Sequence, residues 1–192
     1  MQMTSGLFQQ IDKLTTWTLI RMANQSNFVR QMYLWLIIVP LMARFFSKVP
    51  NEVSFPFVGQ VLTINAVLPF SWKLFYLAAV CFVISNLVYH LFCPKIIKDH
   101  RGYSSFQKEG MGIIQLKNYN NDCGRPAVID EQTIYLSADQ NRLSKEFWIV
   151  HEYADTNLFI ARIIATAFLF AGTLMMTFVA AQGFWLVMAN TF

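Results

Sequence analysis

The chain has 192 residues, of which 55% are hydrophobic, 16% aromatic and only 14% charged. A typical soluble domain carries about 25% charged residues, so this composition argues against one. The net charge is +4, and the basic residues are interspersed with acidic ones, so no basic stripe for direct nucleic-acid binding is present. The composition instead predicts an all-α membrane protein, with the lipid bilayer as its first partner.

The N-terminal segment, residues 1–30, predicts an amphipathic helix. Leu7, Ile11 and Leu14 recur at spacings of three and four, and Lys13 and Arg21 stand among them. Such a helix lies in the cytoplasmic headgroup layer, with its basic residues near anionic lipids, or packs on a cytoplasmic domain, and the pattern leaves both open. Charged residues interrupt every apolar run here, so no cleavable signal peptide is predicted.

Two apolar runs in the first half of the chain predict membrane helices. Residues 32–46 form a first span that contains Pro40, and residues 74–93 form a second, longer one. Cys93 precedes a proline, which marks the helix end because proline fits poorly within a helix. We therefore expect a first transmembrane pair in residues 31–93, joined by an external loop at residues 47–71.

The segment 53–72 is also free of charged residues and is the alternative for a fourth span. Pro56 and Pro69 stand near its ends, its hydrophobicity is weak, and there is no room for a turn before Lys73. We expect an external hairpin or re-entrant loop that lies against the membrane, which leaves three transmembrane helices, with four as the alternative.

Residues 94–156 predict a small mixed α/β domain in the cytoplasm. Short β-branched or apolar stretches at 113–116, 127–129 and 133–136 are separated by turn-forming residues. From near Ser137 the apolar residues recur at three and four, so we expect a helix that continues without a break into the next span. The domain is smaller than a usual enzyme domain, which favours a docking module.

The C-terminal segment, residues 157–192, predicts the last transmembrane helix. Residues 163–192 contain no Asp, Glu, Lys, Arg or His and exceed the ~20 residues that a helix needs to cross the hydrocarbon core. Lysine and arginine are retained on the cytoplasmic side, and their positions predict a cytoplasmic N-terminus and an external C-terminus. Small residues along this helix favour close helix packing, so we expect a homo-oligomer.

Three polar residues lie within the predicted spans: Asn86, Arg162 and Gln182. An ionisable group in hydrocarbon costs about 2.5–3.5 kcal/mol on insertion scales. Arg162 is one turn inside the last span, where it snorkels to the headgroups or pairs with Asn86 or a neighbouring subunit. Asn86 and Gln182 are candidates for hydrogen bonds between helices.

No enzyme, metal or cofactor motif is supported by the sequence. His151 and Glu152 begin like a zincin motif, but Asp155 occupies the position of the second histidine that such a site requires. The three cysteines have no paired spacing. We therefore expect no catalytic residues and no cofactor.

A family resemblance rests on residues 68–76, Leu-Pro-Phe-Ser-Trp-Lys-Leu-Phe-Tyr, on the second span, and on residues 93–99, Cys-Pro-Lys-Ile-Ile-Lys-Asp. Over residues 33–110 this pattern resembles the KwaA family, the membrane subunits of the Kiwa antiphage defence system. The resemblance implies four membrane helices in a multi-pass protein of the bacterial inner membrane. It also implies a homo-oligomer, with a tetramer as the expected form, and a cytosolic, DNA-interacting partner resembling KwaB.

On this resemblance we expect a subunit that senses infection at the membrane and docks its partner through basic residues of the cytoplasmic domain. The candidate docking residues are Arg101, Lys108, Lys117, Arg142 and Lys145. One alternative is a self-assembling pore that depolarises the cell, lined by the few polar side chains of the last span. A passive membrane anchor for another complex has the same composition and topology.

Overall fold

The computed structural model describes residues 15–46, 52–57, 60–65, 72–126 and 140–191. This part of the chain is mostly helical and contains eight helices and one antiparallel hairpin. In chain order the elements are α1 (Trp17–Asn24), α2 (Asn27–Phe46), β1 (Glu52–Phe57), β2 (Gln60–Asn65), α3 (Trp72–Phe92), α4 (Lys95–Asp99), α5 (Tyr103–Lys108), α6 (Ile113–Asp122), α7 (Gln140–Thr156) and α8 (Phe159–Thr191).

Two of these helices, α3 and α8, are long and apolar enough to span a membrane. Helix α3 has 21 residues and α8 has 33. At ~1.5 Å per residue α8 is ~50 Å long, which exceeds the ~30 Å of the hydrocarbon core. The region of the first predicted span, α2, contains a shorter apolar helix, Asn27–Met42, with Pro40 inside it.

The segment between α2 and α3 contains a β-hairpin. Strands β1 and β2 pair antiparallel, with Glu52 opposite Asn65 and Phe57 opposite Gln60. Pro56 stands opposite Val61, which a strand at a sheet edge tolerates because its outer N–H groups need no partner. In the described part of this segment the chain is therefore extended and paired, as the hairpin interpretation expects, and it contains no fourth helix.

The chain divides into two compact units. Unit 1 comprises Met1–Ala23 and Asn86–Thr166, and it contains nearly all of α1, the end of α3, helices α4 to α7 and the beginning of α8. Unit 2 comprises Asn24–Ser85 and Ala167–Phe192, and it contains α2, the hairpin, the beginning of α3 and the remainder of α8.

The core of unit 1 is built around α7, against which α4, α5 and α6 pack. Phe147, Val150 and Ala154 recur at three and four along α7 and are completely buried, so the predicted helical periodicity is confirmed. Tyr89 at the end of α3 and Ala165 in α8 belong to the same buried cluster. The two long apolar helices thus enter unit 1 as part of its core.

The prediction of a mixed α/β domain in residues 94–156 is wrong for the described part. Residues 113–116 begin the helix α6, although Ile113 and Ile114 are β-branched. Gly112 precedes the helix, and its N–H donates to Gln115 Oε1 at 3.0 Å, which satisfies one donor at the helix start. The other two predicted strand stretches, 127–129 and 133–136, lie outside the described residues.

The core of unit 2 joins three apolar helices. Val29 and Met32 of α2 and Phe82 of α3 are buried together. Gly172 of α8 approaches α3 so closely that a Cβ atom there would lie 3.1 Å from the Phe82 ring and 3.2 Å from the Ala78 carbonyl oxygen. The absence of a side chain at Gly172 is therefore what allows α8 to pack on α3 in unit 2.

Candidate functional site: the joint between α7 and α8

Helices α7 and α8 are separated by a two-residue break, Asn157 and Leu158, which we call the joint. Leu158 has a φ of +55°, in the left-handed region that residues other than glycine adopt rarely. Such a conformation costs about 1–3 kcal/mol and persists only where the surroundings hold it. The prediction of one unbroken helix is therefore wrong, and the break needs contacts that maintain it.

Asn157 ties the joint to α6. Its side-chain Nδ2 donates to the carbonyl oxygen of Cys123, the residue that follows α6, at 2.9 Å. Its Oδ1 accepts the N–H of Leu158 at 2.8 Å. A short amide side chain can bond to nearby backbone in this way and so compete with continuation of the helix. Asn157 thus both ends α7 and fixes it to α6.

Arg162 holds the other side of the joint. The residue is only 1% exposed; its Nε donates to Asn157 O at 3.1 Å, its Nη2 to Thr156 O at 2.6 Å and its Nη1 to Thr15 O at 3.2 Å. The carbonyls at the end of a helix lack intrahelical partners and carry the negative end of its dipole. The buried guanidinium is therefore stabilised by the C-terminus of α7.

This placement differs from the snorkelling expectation and from a pairing with Asn86, whereas pairing with a neighbouring subunit stays a prediction. A snorkelling side chain would be exposed, whereas Arg162 is buried, and within the described residues none of its hydrogen bonds goes to Asn86. Its guanidinium carbon instead lies 5.6 Å from the ring centroid of Phe159, a distance at which a cation and an aromatic face attract each other. Arg162 is a structural cap of α7 in unit 1.

The N-terminal helix α1 packs on the joint. Trp17 is completely buried, and its Nε1 donates to Asn157 O at 3.0 Å. The backbone N–H and the hydroxyl of Thr18 both donate to Asp155 Oδ1, at 2.7 and 3.0 Å. This agrees with the alternative in which the N-terminal helix packs on the domain; residues 1–14 of that predicted helix lie outside the described residues.

Arg21 caps the C-terminal end of α4, as Arg162 caps that of α7. It is buried, and its Nη1 donates to the carbonyl oxygens of Ile97 and His100 at the C-terminal end of α4. These contacts favour the alternative in which the N-terminal helix packs on the domain over the one in which Arg21 lies near anionic lipids. Helix α1 is fixed at both ends, because Arg21 binds α4 and Trp17 binds the joint.

A hydrogen-bonded group around His100 joins α4 to α6. His100 is completely buried, and its Nε2 lies 3.3 Å from Tyr119 OH, which donates to Asp99 Oδ2 at 3.0 Å. Burial raises the pKa of Tyr119 to about 12, and the hydrogen bond to Asp99 adds to the effect. His100 Nδ1 lies 3.7 Å from Glu109 Oε1, beyond hydrogen-bond distance. Because its pKa is raised, Tyr119 stays protonated, and its hydroxyl acts as the hydrogen-bond donor to Asp99.

His151, the residue of the zincin-like pair, is a buried core residue. Its ring centroid lies 5.6 Å from that of Phe147 and 5.4 Å from that of Trp148. Burial lowers its pKa; the Asp155 carboxylate opposes this, and the positive charge of Arg21 adds to it. In the described part of the chain no group of three or more His, Cys, Asp or Glu side chains is placed to hold a metal ion.

The three cysteines are buried free thiols. Burial, with a contribution from the charge of Asp122, raises the pKa of Cys123 to about 11. The thiolate is the reactive form of cysteine, so the Cys123 thiol is unreactive while unit 1 is closed. The carbonyl oxygen of Cys123 accepts a hydrogen bond from the Asn157 side chain. The reactivity of the Cys123 thiol therefore measures how often the joint opens.

The predicted docking residues all lie in unit 1 but on different elements. Arg101 follows α4, Lys108 ends α5, and Lys117 lies in α6. Arg142 and Lys145 lie three residues apart in the first turns of α7 and are both exposed, as are Arg101 and Lys108, whereas Lys117 is half-buried. Of the five, these two are the ones that share a single helix.

The remaining predicted polar residues occupy the long helices. Asn86 is half-buried in the part of α3 that belongs to unit 1, and Gln182 is half-buried in α8 within unit 2. The hydroxyls of Thr173 and Thr177 donate to carbonyl oxygens of their own helix, at 2.8 and 2.9 Å. These two threonines are therefore satisfied within α8 and need no water-filled path.

Comparison with known protein families, curated proteins and solved structures finds no match to this chain. The sequence did not identify Trp17 or Asn157 as residues of the site. The one available signal was for Asn157, an asparagine at the point where a polar helix is followed by an apolar one. The joint links α7, α8 and α1, and it can transmit a displacement of one helix to the others.

Proposed function

We propose that this chain is the membrane subunit of a bacterial antiphage defence complex, which senses infection through its membrane helices and docks a cytosolic effector on unit 1. The observation that carries the proposal is the shared core of unit 1. Tyr89 of α3 and Ala165 of α8 belong to the same buried cluster as Phe106 and Phe147. Because close-packed interiors transmit strain, movement of either long helix reaches the surface of the unit.

The proposed topology has three membrane helices, α2, α3 and α8, in the bacterial inner membrane. The N-terminus and unit 1 lie in the cytoplasm, where the positive-inside rule places their basic residues, and the hairpin and the C-terminus lie outside. The small residues of α8 support association with further copies of the chain, with a tetramer as the expected form. The resemblance to the KwaA family supports the antiphage role and the identity of the partner as a KwaB-like protein.

The joint determines how a displacement is transmitted. A tilt of α8 displaces Arg162, which holds the end of α7 and the segment that leads into α1. Hydrogen bonds from a charged donor contribute about 1.5–3 kcal/mol each, so α7 follows the displacement. The exposed basic pair Arg142 and Lys145 on α7 moves with it. An acidic partner surface would be steered to this pair by charge complementarity.

The pore alternative is supported less well. A conducting path needs polar groups that face water, whereas Thr173 and Thr177 are bonded within α8. Expression of this chain alone, followed with a potential-sensitive dye, separates the two functions. A pore would depolarise the cell without any partner, and the membrane subunit would not.

The proposal is tested by phage protection in cells that carry the chain with its native flanking genes. We expect the double variant Arg142→Glu, Lys145→Glu to lose protection while its membrane level stays normal, because the partner no longer docks. Lys73→Glu is the matched control, since Lys73 is an exposed lysine in the first turn of α3, in unit 2. Unchanged protection by the double variant would contradict docking at α7.

A further inference from the structure

Unit 1 contains an apolar groove beside the joint. Its volume is about 470 Å³, within the ~300–1,000 Å³ typical of small-molecule sites. Val88 and Phe92, in the last two turns of α3, form one wall. Leu158, Phe159, Ile160 and Ile164, from the joint and the first turns of α8, form the other. Every one of these side chains is apolar, so the groove offers no hydrogen bond to a polar ligand.

The position of the groove identifies an apolar occupant. It lies where α3 ends and α8 begins, and these are the two helices that are long and apolar enough to span a membrane. Apolar side chains at the groove are strongly exposed: Leu91, next to the lining residue Phe92, is 67% exposed, and Ile160, itself part of the lining, is 74% exposed. Contiguous exposed apolar surface of this kind marks contact with a lipid or a partner. For helices that span a bilayer, the apolar molecules that contact this surface are lipids, so we take a lipid as the occupant of the groove.

The charge beside the groove favours an anionic headgroup. Lys98 Nζ donates to His90 O at 2.6 Å, which places the ammonium against the last turn of α3, the turn that contains Phe92. Lys95 is paired with Asp122 at 3.1 Å, whereas in the described residues Lys98 bonds to a main-chain oxygen and to no carboxylate. Its positive charge is therefore available to a phosphate group at this end of α3.

We propose that the groove binds one acyl chain of an anionic membrane phospholipid, with the lipid phosphate near Lys98. Leu158 belongs both to the groove and to the joint, and the Phe159 ring, which also lines the groove, lies under the Arg162 guanidinium. A bound chain packs against Leu158 and supports its left-handed backbone. Loss or exchange of the lipid therefore loosens the joint. This inference rests on the membrane embedding proposed above and not on the antiphage role.

The test uses the full-length protein in lipid nanodiscs that contain phosphatidylglycerol with a photoreactive diazirine in its acyl chain. Crosslinked peptides are identified by mass spectrometry. We expect the crosslinks to concentrate on peptides that contain residues 88–92 and 158–164. Ile164→Trp fills the groove and should reduce this crosslinking several-fold. Leu174→Trp, an exposed position of α8 in unit 2, is the matched control and should leave it unchanged.

The headgroup part of the proposal has its own readout. In nanodiscs with the photoreactive chain on phosphatidylcholine instead, crosslinking of the wild type should fall, and Lys98→Met should remove the difference between the two lipids. Crosslinks spread evenly along α3 and α8, or unchanged in Ile164→Trp, would mean ordinary surrounding lipid and would overturn the groove while leaving the membrane embedding intact. The absence of any crosslink to α3 and α8 would contradict both.

Discussion

Replacement of Arg162 by glutamine removes the three main-chain hydrogen bonds that hold the joint. At a typical net contribution of ~1 kcal/mol each, these bonds stabilise the joint by ~3 kcal/mol. Hydrogen bonds from a charged donor contribute more than this. Part of that excess is offset, because the glutamine variant no longer has the free-energy cost of burying a charge. Since ~1.4 kcal/mol corresponds to a factor of ten, the open population of unit 1 should rise roughly 100-fold.

The assay is the rate at which N-ethylmaleimide modifies Cys123 in the purified full-length protein, followed by mass spectrometry of the labelled peptides. Cys81, buried in unit 2, is the internal reference. Arg162→Lys should give an intermediate rate, because an ammonium keeps the charge but lacks the planar fork. Arg30→Gln removes an exposed arginine of α2 and is the matched control. Equal Cys123 rates in Arg162→Gln and Arg30→Gln would refute the reasoning.

Three further predictions concern single contacts. Trp17→Phe keeps a buried ring but removes the donor to Asn157 O, so Cys123 labelling should rise about five-fold, as expected for ~1 kcal/mol; a wild-type rate would show that the bond contributes nothing. Burial lowers the pKa of His151 in the folded protein, so on acidification the unfolded chain takes up the proton first. The stability that depends on neutral His151 is therefore complete above about pH 6.5, and it is lost as the pH falls through the pKa of the folded state. The melting temperature should therefore fall between about pH 7 and pH 5, less steeply in His151→Asn, and equal slopes would exclude this residue as the cause. Gly172→Leu should destabilise the detergent-solubilised protein by about 1–3 kcal/mol through overpacking, seen as a lower aggregation temperature, whereas Gly183→Leu, whose Cβ position has nothing within 4 Å, should not.

The long helices could be predicted because their signal is local. The absence of charge in residues 163–192 and the apolar run at residues 74–93 each identify one helix without reference to the rest of the chain, and both appear as α8 and α3. The periodicity of α7 is equally local and was also found. These signals determine the existence and the approximate extent of the helices, not the contacts between their ends.

The joint could not be predicted for the same reason. Apolar spacing continues across residues 157 and 158, and neither proline nor glycine interrupts it. The break depends on donors that are distant in sequence: Trp17 lies 140 positions from Asn157, and the Asn157 amide reaches Cys123, 34 positions away. Likewise, the local sequence is the same for an arginine that is buried and caps a helix ending six residues earlier and for an arginine that snorkels. Tertiary contacts decide between the two.

The central claim is that this chain docks a cytosolic partner through unit 1. The most direct test is affinity purification of the tagged protein from detergent-solubilised membranes after co-expression with its native flanking genes, with the bound proteins identified by mass spectrometry. The account predicts one soluble partner in stoichiometric amount, lost in Arg142→Glu, Lys145→Glu and retained in Lys73→Glu. A homo-oligomer that purifies without any companion would contradict the claim and favour the self-sufficient pore.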